Sequence, residues 1–159
     1  MTTIIVYDSV FGNTEQIAQT MGQILGEAAM VKKVNEVTLE DLKGVDLLVV
    51  GSPTRAFKPT EGIVSFLKNL PAGTLKGLAA AAFDTRIPPE SISSKIMRNL
   101  VVMGGYADKT ISKLLKSKGA TVLPSEGFFV TSSEGPLVIG EVKRAADWIR
   151  QTDQSRKLV

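Results

Sequence analysis

Between Tyr7 and Glu15 the chain reads Asp8-Ser9-Val10-Phe11-Gly12-Asn13-Thr14, a run rich in hydroxyl, amide and glycine groups. It follows the apolar stretch Ile4-Ile5-Val6-Tyr7 and precedes Ile17, Met21, Ile24, Leu25 and Ala28, which recur at helical spacing. A buried strand, a short polar loop and a helix opening there make an anion site. The first helical amides lack intrahelical acceptors, and the helix dipole favours negative charge at that end. The hydroxyls of Ser9 and Thr14 and the Asn13 amide can add hydrogen bonds, and Gly12 lets the backbone approach a ligand closely. No lysine or arginine occurs from Thr2 to Val31. A dianion held here would be bound by backbone and hydroxyls, which suits the phosphate of a mononucleotide better than a triphosphate with magnesium. The alternative is an ordinary strand-to-helix turn with Asn13 as the helix cap.

Two further polar loops follow apolar runs. Gly51-Ser52-Pro53-Thr54-Arg55-Ala56-Phe57-Lys58-Pro59-Thr60 is stiffened by Pro53 and Pro59, so it can hold a planar ligand at little ordering cost. Phe57 is placed to stack on an aromatic ring or to pack into the core. Phe83-Asp84-Thr85-Arg86 offers an acceptor, a hydroxyl and a guanidinium. Asp84 and Arg86 suit either ligand contact or a buried ion pair.

Composition narrows the chemistry. At 159 residues the chain reads as one domain over 1–152, with 153–159 as a frayed tail. The sequence holds no cysteine and no histidine, which excludes a Ser-His-Asp triad, a Cys-His pair and a His/Cys metal site. Redox chemistry would need a bound organic cofactor. No apolar run approaches a membrane span and the first strand starts too early for a signal peptide, so a cytoplasmic protein with no membrane partner is expected. Residues 1–80 carry seven basic and eight acidic groups, and residues 81–159 twelve and eight, giving −1 and +4. Lys109, Lys113 and Lys116 share one helix face, either solvated or a dock for an acidic partner. Nothing resembles a nucleic-acid-binding motif.

Strand-like runs at about 3–7, 31–37, 46–51 and 78–83 alternate with helical patterns at about 14–28, 60–70 and 140–151. Val122-Leu123 and Phe128-Phe129-Val130 give an interrupted fifth strand. Strands apolar on both faces, separated by amphipathic helices, imply a doubly wound three-layer α/β/α sandwich around a parallel sheet. In such folds ligands bind beyond the carboxyl ends of the strands, where the three polar loops lie. Between 87 and 104, Pro88-Pro89 breaks the chain and Ile92, Ile96, Leu100 and Met103 recur at helical spacing, which predicts an amphipathic insertion packed on the domain.

Together these stretches resemble the flavodoxin-like superfamily over nearly the whole chain. Tyr7 to Glu15 is similar to that family's FMN-phosphate loop and Gly51-Ser52-Pro53-Thr54 to its second flavin loop. Glu126-Gly127-Phe128-Phe129-Val130 and Glu134-Gly135-Pro136-Leu137 are similar to the carboxyl-terminal part of one subgroup. The resemblance implies a five-stranded parallel sheet in the order 2-1-3-4-5 and FMN as cofactor. It places the phosphate on Ser9, Val10, Phe11, Gly12, Asn13 and Thr14. It places the flavin ring between Pro53, Thr54, Arg55, Ala56 and Phe57 on one side and Asp84, Thr85 and Arg86 on the other, with Tyr106 a further candidate.

The chain departs from that pattern in three ways. Its fourth-strand loop lacks an aromatic, its charge is mildly basic where flavodoxins are acidic, and its second loop lacks a glycine. The expected function is electron transfer through bound FMN to a redox partner protein, in a monomer or homodimer. The alternatives are an FMN-dependent NAD(P)H:quinone-type oxidoreductase and a cofactor-free interaction module. A phosphoacceptor receiver domain would need an aspartate where Gly51-Ser52 stand. Dinucleotide and P-loop sites lack their glycine signatures.

Overall fold

Three segments buried along nearly their whole length, Thr3–Tyr7, Leu47–Pro53 and Ala79–Arg86, dictate a sheet held between two helical layers. The computed structural model describes residues 2–158 and, of residues 100–102 and 104, the backbone alone. Strands β1 (Thr3–Tyr7), β2 (Ala29–Lys33), β3 (Leu47–Pro53) and β4 (Ala79–Arg86) are parallel, in the order β2-β1-β3-β4. Two short strands complete the far side: β5 (Thr121–Val122) pairs with Ala79–Ala80, and β6 (Glu126–Phe129) pairs with Phe83–Arg86. The interrupted fifth strand is therefore two strands along one edge of β4.

Alternation along the strands sorts the core into two clusters. Ile4, Val6, Leu48, Val50, Ala80 and Ala82 meet helices α2 (Glu61–Asn69) and α4 (Ala107–Ser117). Ile5, Leu47, Val49, Ala81 and Phe83 meet α1 (Asn13–Leu25) and α5 (Glu141–Ser155) on the opposite face. Thr60 caps α2 by accepting from the Ile63 amide, as its position before the apolar stripe predicts. Lys118 donates to the Lys68 and Leu70 carbonyls at the other end of that helix. Among the described residues no helix is long and apolar enough to cross a membrane.

Four boundaries differ from the sequence reading. The second strand ends at Lys33 because Val34–Glu36 close into a 3₁₀ turn. The fourth continues through Asp84, Thr85 and Arg86, since the end of β3 and β6 pair with residues expected in a loop. The last helix runs to Ser155, and a 3₁₀ turn at Arg156–Leu158 follows in place of a frayed end. Arg156, whose side chain is 6% exposed, holds that turn by an ion pair to Asp153 at 2.7 Å. Val159 lies outside the described residues. The predicted insertion forms α3 (Lys95–Gly104), but Ile96 and Met103 are exposed at 75% and 84% and do not pack on the domain. The Leu100 side chain lies outside those described.

Gly51 has a packing role that its place beside a loop obscures. It pairs with Phe83 across β3 and β4, and a Cβ there would overlap the Phe83 ring. That ring packs edge-on against Phe128 and Trp148, with centroids 6.1 and 6.4 Å away, which assigns Trp148 to the core. Gly51→Ala is expected to destabilise the domain by about 1–3 kcal/mol through displacement of this aromatic cluster. Denaturant unfolding measures it, and an unchanged midpoint would contradict the packing.

Candidate functional site

The carboxyl ends of β1, β3 and β4 converge on a cavity of about 350 Å³. Its walls come from the three polar loops. Ser9, Val10, Phe11, Asn13 and Thr14 contribute from the first, Pro53, Thr54, Arg55 and Ala56 from the second, and Thr85 and Arg86 from the third. Gly12, Phe57 and Asp84 do not line it. Ile87, Val130 and Ser133 do, and sequence reasoning missed them. The last two sit where the chain after β6 folds back toward α1. There the Asn13 side-chain amide donates to the Glu134 carbonyl at 3.0 Å, and a Cβ at Gly135 would overlap that amide.

The amino end of α1 is unpartnered. Gly12 takes the position before the helix at φ 92°, a conformation glycine adopts without strain, and no side chain caps the helix. Asn13 is the first helical residue, not its cap. The Ser9 amide donates to Asp8 at 2.9 Å and the Gly12 amide to the Ser9 hydroxyl at 3.1 Å. The amides of Val10, Phe11, Asn13, Thr14 and Glu15 find no acceptor among the described residues. The first four belong to residues that line the cavity. Thr14, 1% exposed, pairs its hydroxyl with that of Thr85 at 2.7 Å, so one of the two O–H groups remains free to donate. The result is a neutral anion cradle of amides and hydroxyls at a helix amino end.

Alternation on β4 decides what lies beside it. Thr85 points to the α1 side, while Asp84 and Arg86 share the other face and pair. Arg86 donates through Nε and Nη2 to the Asp84 carboxylate at 2.6 and 2.7 Å, and Nη2 lies 3.1 Å from Asp108. The Tyr106 ring covers one face of the guanidinium at 3.8 Å, and a Cβ on Gly127 would overlap the guanidinium. Asp84 also accepts from the Asp108 amide at 3.0 Å, anchoring α4 by its amino end. Asp84 is thus the buried ion pair of the two readings, and Tyr106 packs on Arg86 without reaching the cavity.

In the second loop, Arg55 and Lys58 bond through both backbone pairs at 2.9 Å, closing a hairpin around Ala56 and Phe57. Both central residues have positive φ, 45° and 68°, at a cost of about 1 kcal/mol each for side chains that disfavour this region. The turn lifts Phe57 out of the cavity and leaves Arg55 over the Phe11 ring at 5.8 Å.

Burial drives the electrostatics of the Asp84 cluster. Desolvation pushes the Asp84 carboxyl up from 3.8 to about 6 against the pull of its Arg86 bonds. Burial also opposes the Arg86 charge, but the bonds to Asp84 and the fields of both carboxylates hold its pKa above the usual value. The Tyr106 phenol is pushed up, chiefly by burial. Since Asp84 holds its proton more tightly folded than unfolded, it favours the native state most below about pH 4 and loses that contribution as pH rises to about 6. A carboxyl ¹³C titration is expected to place the Asp84 midpoint near 6, and a midpoint below 4 would contradict the desolvated pair.

Comparison with known proteins fits this fold. The family model described as Flavodoxin domain matches residues 4–116. A flavodoxin from the domain Archaea is similar in structure, with a TM-score of 0.76, 22% identity and 99% of each chain covered. Oxidised Flavodoxin 2 from Bacillus cereus gives a TM-score of 0.72 at 18% identity, covering 98% of this chain and 99% of its own. Two-electron reduced Megasphaera elsdenii flavodoxin gives 0.68 at 20% identity, covering 94% and 99%. No curated protein sequence matches the chain.

Proposed function

The chain belongs to the flavodoxin-domain family, and on that premise we propose that it binds FMN and serves as an electron carrier. The observation that supports this most is the set of unpartnered amides at the start of α1, opening on a cavity that the other two loops enclose. The donors suit a dianionic phosphate, because several neutral N–H groups and two hydroxyls converge with no lysine to demand a larger polyphosphate. A volume of about 350 Å³ falls within the range of cavities that take a small cofactor. Bound there, FMN would supply reversible one- and two-electron chemistry at its isoalloxazine ring.

The residues of this chain divide the remaining work. Amides of Val10, Phe11, Asn13 and Thr14 hold the phosphate, and the Thr14–Thr85 hydroxyl pair orients one further donor. Pro53 fixes the departure of β3, and the Thr54 hydroxyl is pinned by accepting from the Ala107 amide at 2.9 Å. Val10, Phe11, Ile87 and Val130 form the less polar part of the cavity wall. Reduction adds negative charge inside it. Two arginines line the space, but Asp84 and Asp108 already neutralise Arg86, while Arg55 has no carboxylate partner among the described residues. Arg55 is therefore the cation that tunes the potential.

Two outcomes follow. Ser9→Ala combined with Thr14→Val removes one hydroxyl donor and leaves the Thr85 hydroxyl without the partner that orients it, at ~1.5 kcal/mol each, so FMN affinity should fall ~100-fold while the domain stays folded. A fluorescence titration with the same dissociation constant as the parent would place the phosphate elsewhere. Arg55→Gln should lower the midpoint potential of bound flavin by on the order of 30 mV. Spectroelectrochemistry reads this shift, and an unchanged or raised potential would remove Arg55 from the tuning role.

A further inference from the structure

Residues 88–105 leave the cavity and return to it. Ile87 lines the cavity, and the Ala107 amide is held by Thr54, another lining residue. The excursion carries α3, which meets the 3₁₀ turn at Pro89–Ser91. Lys95, Ile96, Met97, Arg98 and Asn99 are all exposed, although a helix that rests on a domain buries one side of every turn. Ile96, Met97 and Met103 expose 75%, 48% and 84% of their surfaces. Water-facing aliphatic side chains grouped on one element mark a surface that meets another molecule, and methionine adapts to the shape of what it meets.

Charge selects the occupant. No acidic residue occurs from Ser91 to Ala107, and Lys95 and Arg98 have no carboxylate partner among the described residues. The 55–58 hairpin adds exposed Arg55 and Lys58, likewise without an ion pair among the described residues, and Val10 and Phe11 stand about half exposed at the same cavity. A second copy docked about a two-fold axis through α3 would bring Lys95 and Arg98 against their own counterparts, a like-charge contact that opposes association. A surface with carboxylates around an apolar centre satisfies both features.

We propose that α3 and the 55–58 hairpin form the docking surface for an acidic electron-transfer protein. This deepens the electron-carrier reading and rests on it for the meaning of the contact, but not for its detection. Long-range attraction would speed encounter and weaken with salt, while Ile96, Met97 and Met103 would hold the short-range contact.

The test uses the full chain as purified, with or without flavin, and an acidic [2Fe–2S] ferredoxin as probe, with basic cytochrome c as the opposite-charge control. Amide shifts on ferredoxin addition should fall on residues 95–99, Met103, Arg55 and Lys58. Affinity should drop about tenfold or more between about 20 and about 300 mM salt. Lys95→Glu with Arg98→Glu should abolish binding. Ile96→Asp with Met97→Asp should weaken it at both salt levels and leave the salt dependence unchanged. Both double variants should titrate FMN as the parent does. Preferential binding of cytochrome c, shifts confined to Lys113 and Lys116, unaltered affinity in the variants, or self-association through α3 would each overturn the proposal. A chain that binds ferredoxin in this way but ignores FMN would instead refute the cofactor.

Discussion

Backbone amides at the mouth of α1 impose the constraint on which the site depends. A polar N–H turned toward a cavity is costly unless something accepts from it. Here Gly12 in the left-handed region, the Ser9–Gly12 bond and the return of Asn13 to Glu134 hold several such groups in one place and leave them without an acceptor. A side chain able to cap the helix would have removed the need. The loop contains two candidates, Ser9 and Asn13, and both are committed elsewhere. The Ser9–Gly12 and Asn13–Glu134 bonds shape the cradle from within the chain, which keeps the ordering cost of binding there low.

A single strand alternation supports it from behind. At the end of β4, Thr85 faces α1 and locks Thr14, while Asp84 and Arg86 face α4, Tyr106 and Gly127. The first contact serves the ligand side. The second is a buried ion cluster that fixes the amino end of α4 and thereby the Thr54–Ala107 bond. Replacing one partner alone would strand a buried charge, which costs far more than the pair contributes in net stability. That coupling ties β4, the second loop and α4 together beside the cavity, where the chain carries no stacking aromatic.

Much of this was legible in the residues. Uninterrupted apolar runs separated by helical stripes fixed the layers, and Ser9 to Thr14 and Pro53 to Ala56 marked the cavity, because loops between such elements must lie at the strand ends. Asp84 was ambiguous for a definite reason. Whether it is strand or loop depends on pairing with Ser52 of β3 and Gly127 of β6, about thirty and about forty residues away, which leaves no local signature. Phe57 was misleading because positive φ at a non-glycine residue cannot be read from propensity. Val130 and Ser133 were invisible for a topological reason, since the segment after β6 reaches the site through long-range bonds, Val130 to Arg86 and Asn13 to Glu134. The exposure of Ile96 and Met103 was equally hidden, because an amphipathic pattern records that a face seeks a partner without recording whether the partner lies in the same chain.

The account turns on recognition of a phosphate by uncharged donors, and comparing FMN with riboflavin under identical conditions tests that most directly. The two ligands share the ring and differ in the phosphate, so ring contacts cancel. Bound FMN should shift the amide resonances of Val10, Phe11, Asn13 and Thr14, and its affinity should exceed that of riboflavin by at least ~100-fold, the equivalent of about 2.7 kcal/mol. Equal affinities, or FMN binding that leaves those four amides unmoved, would contradict it.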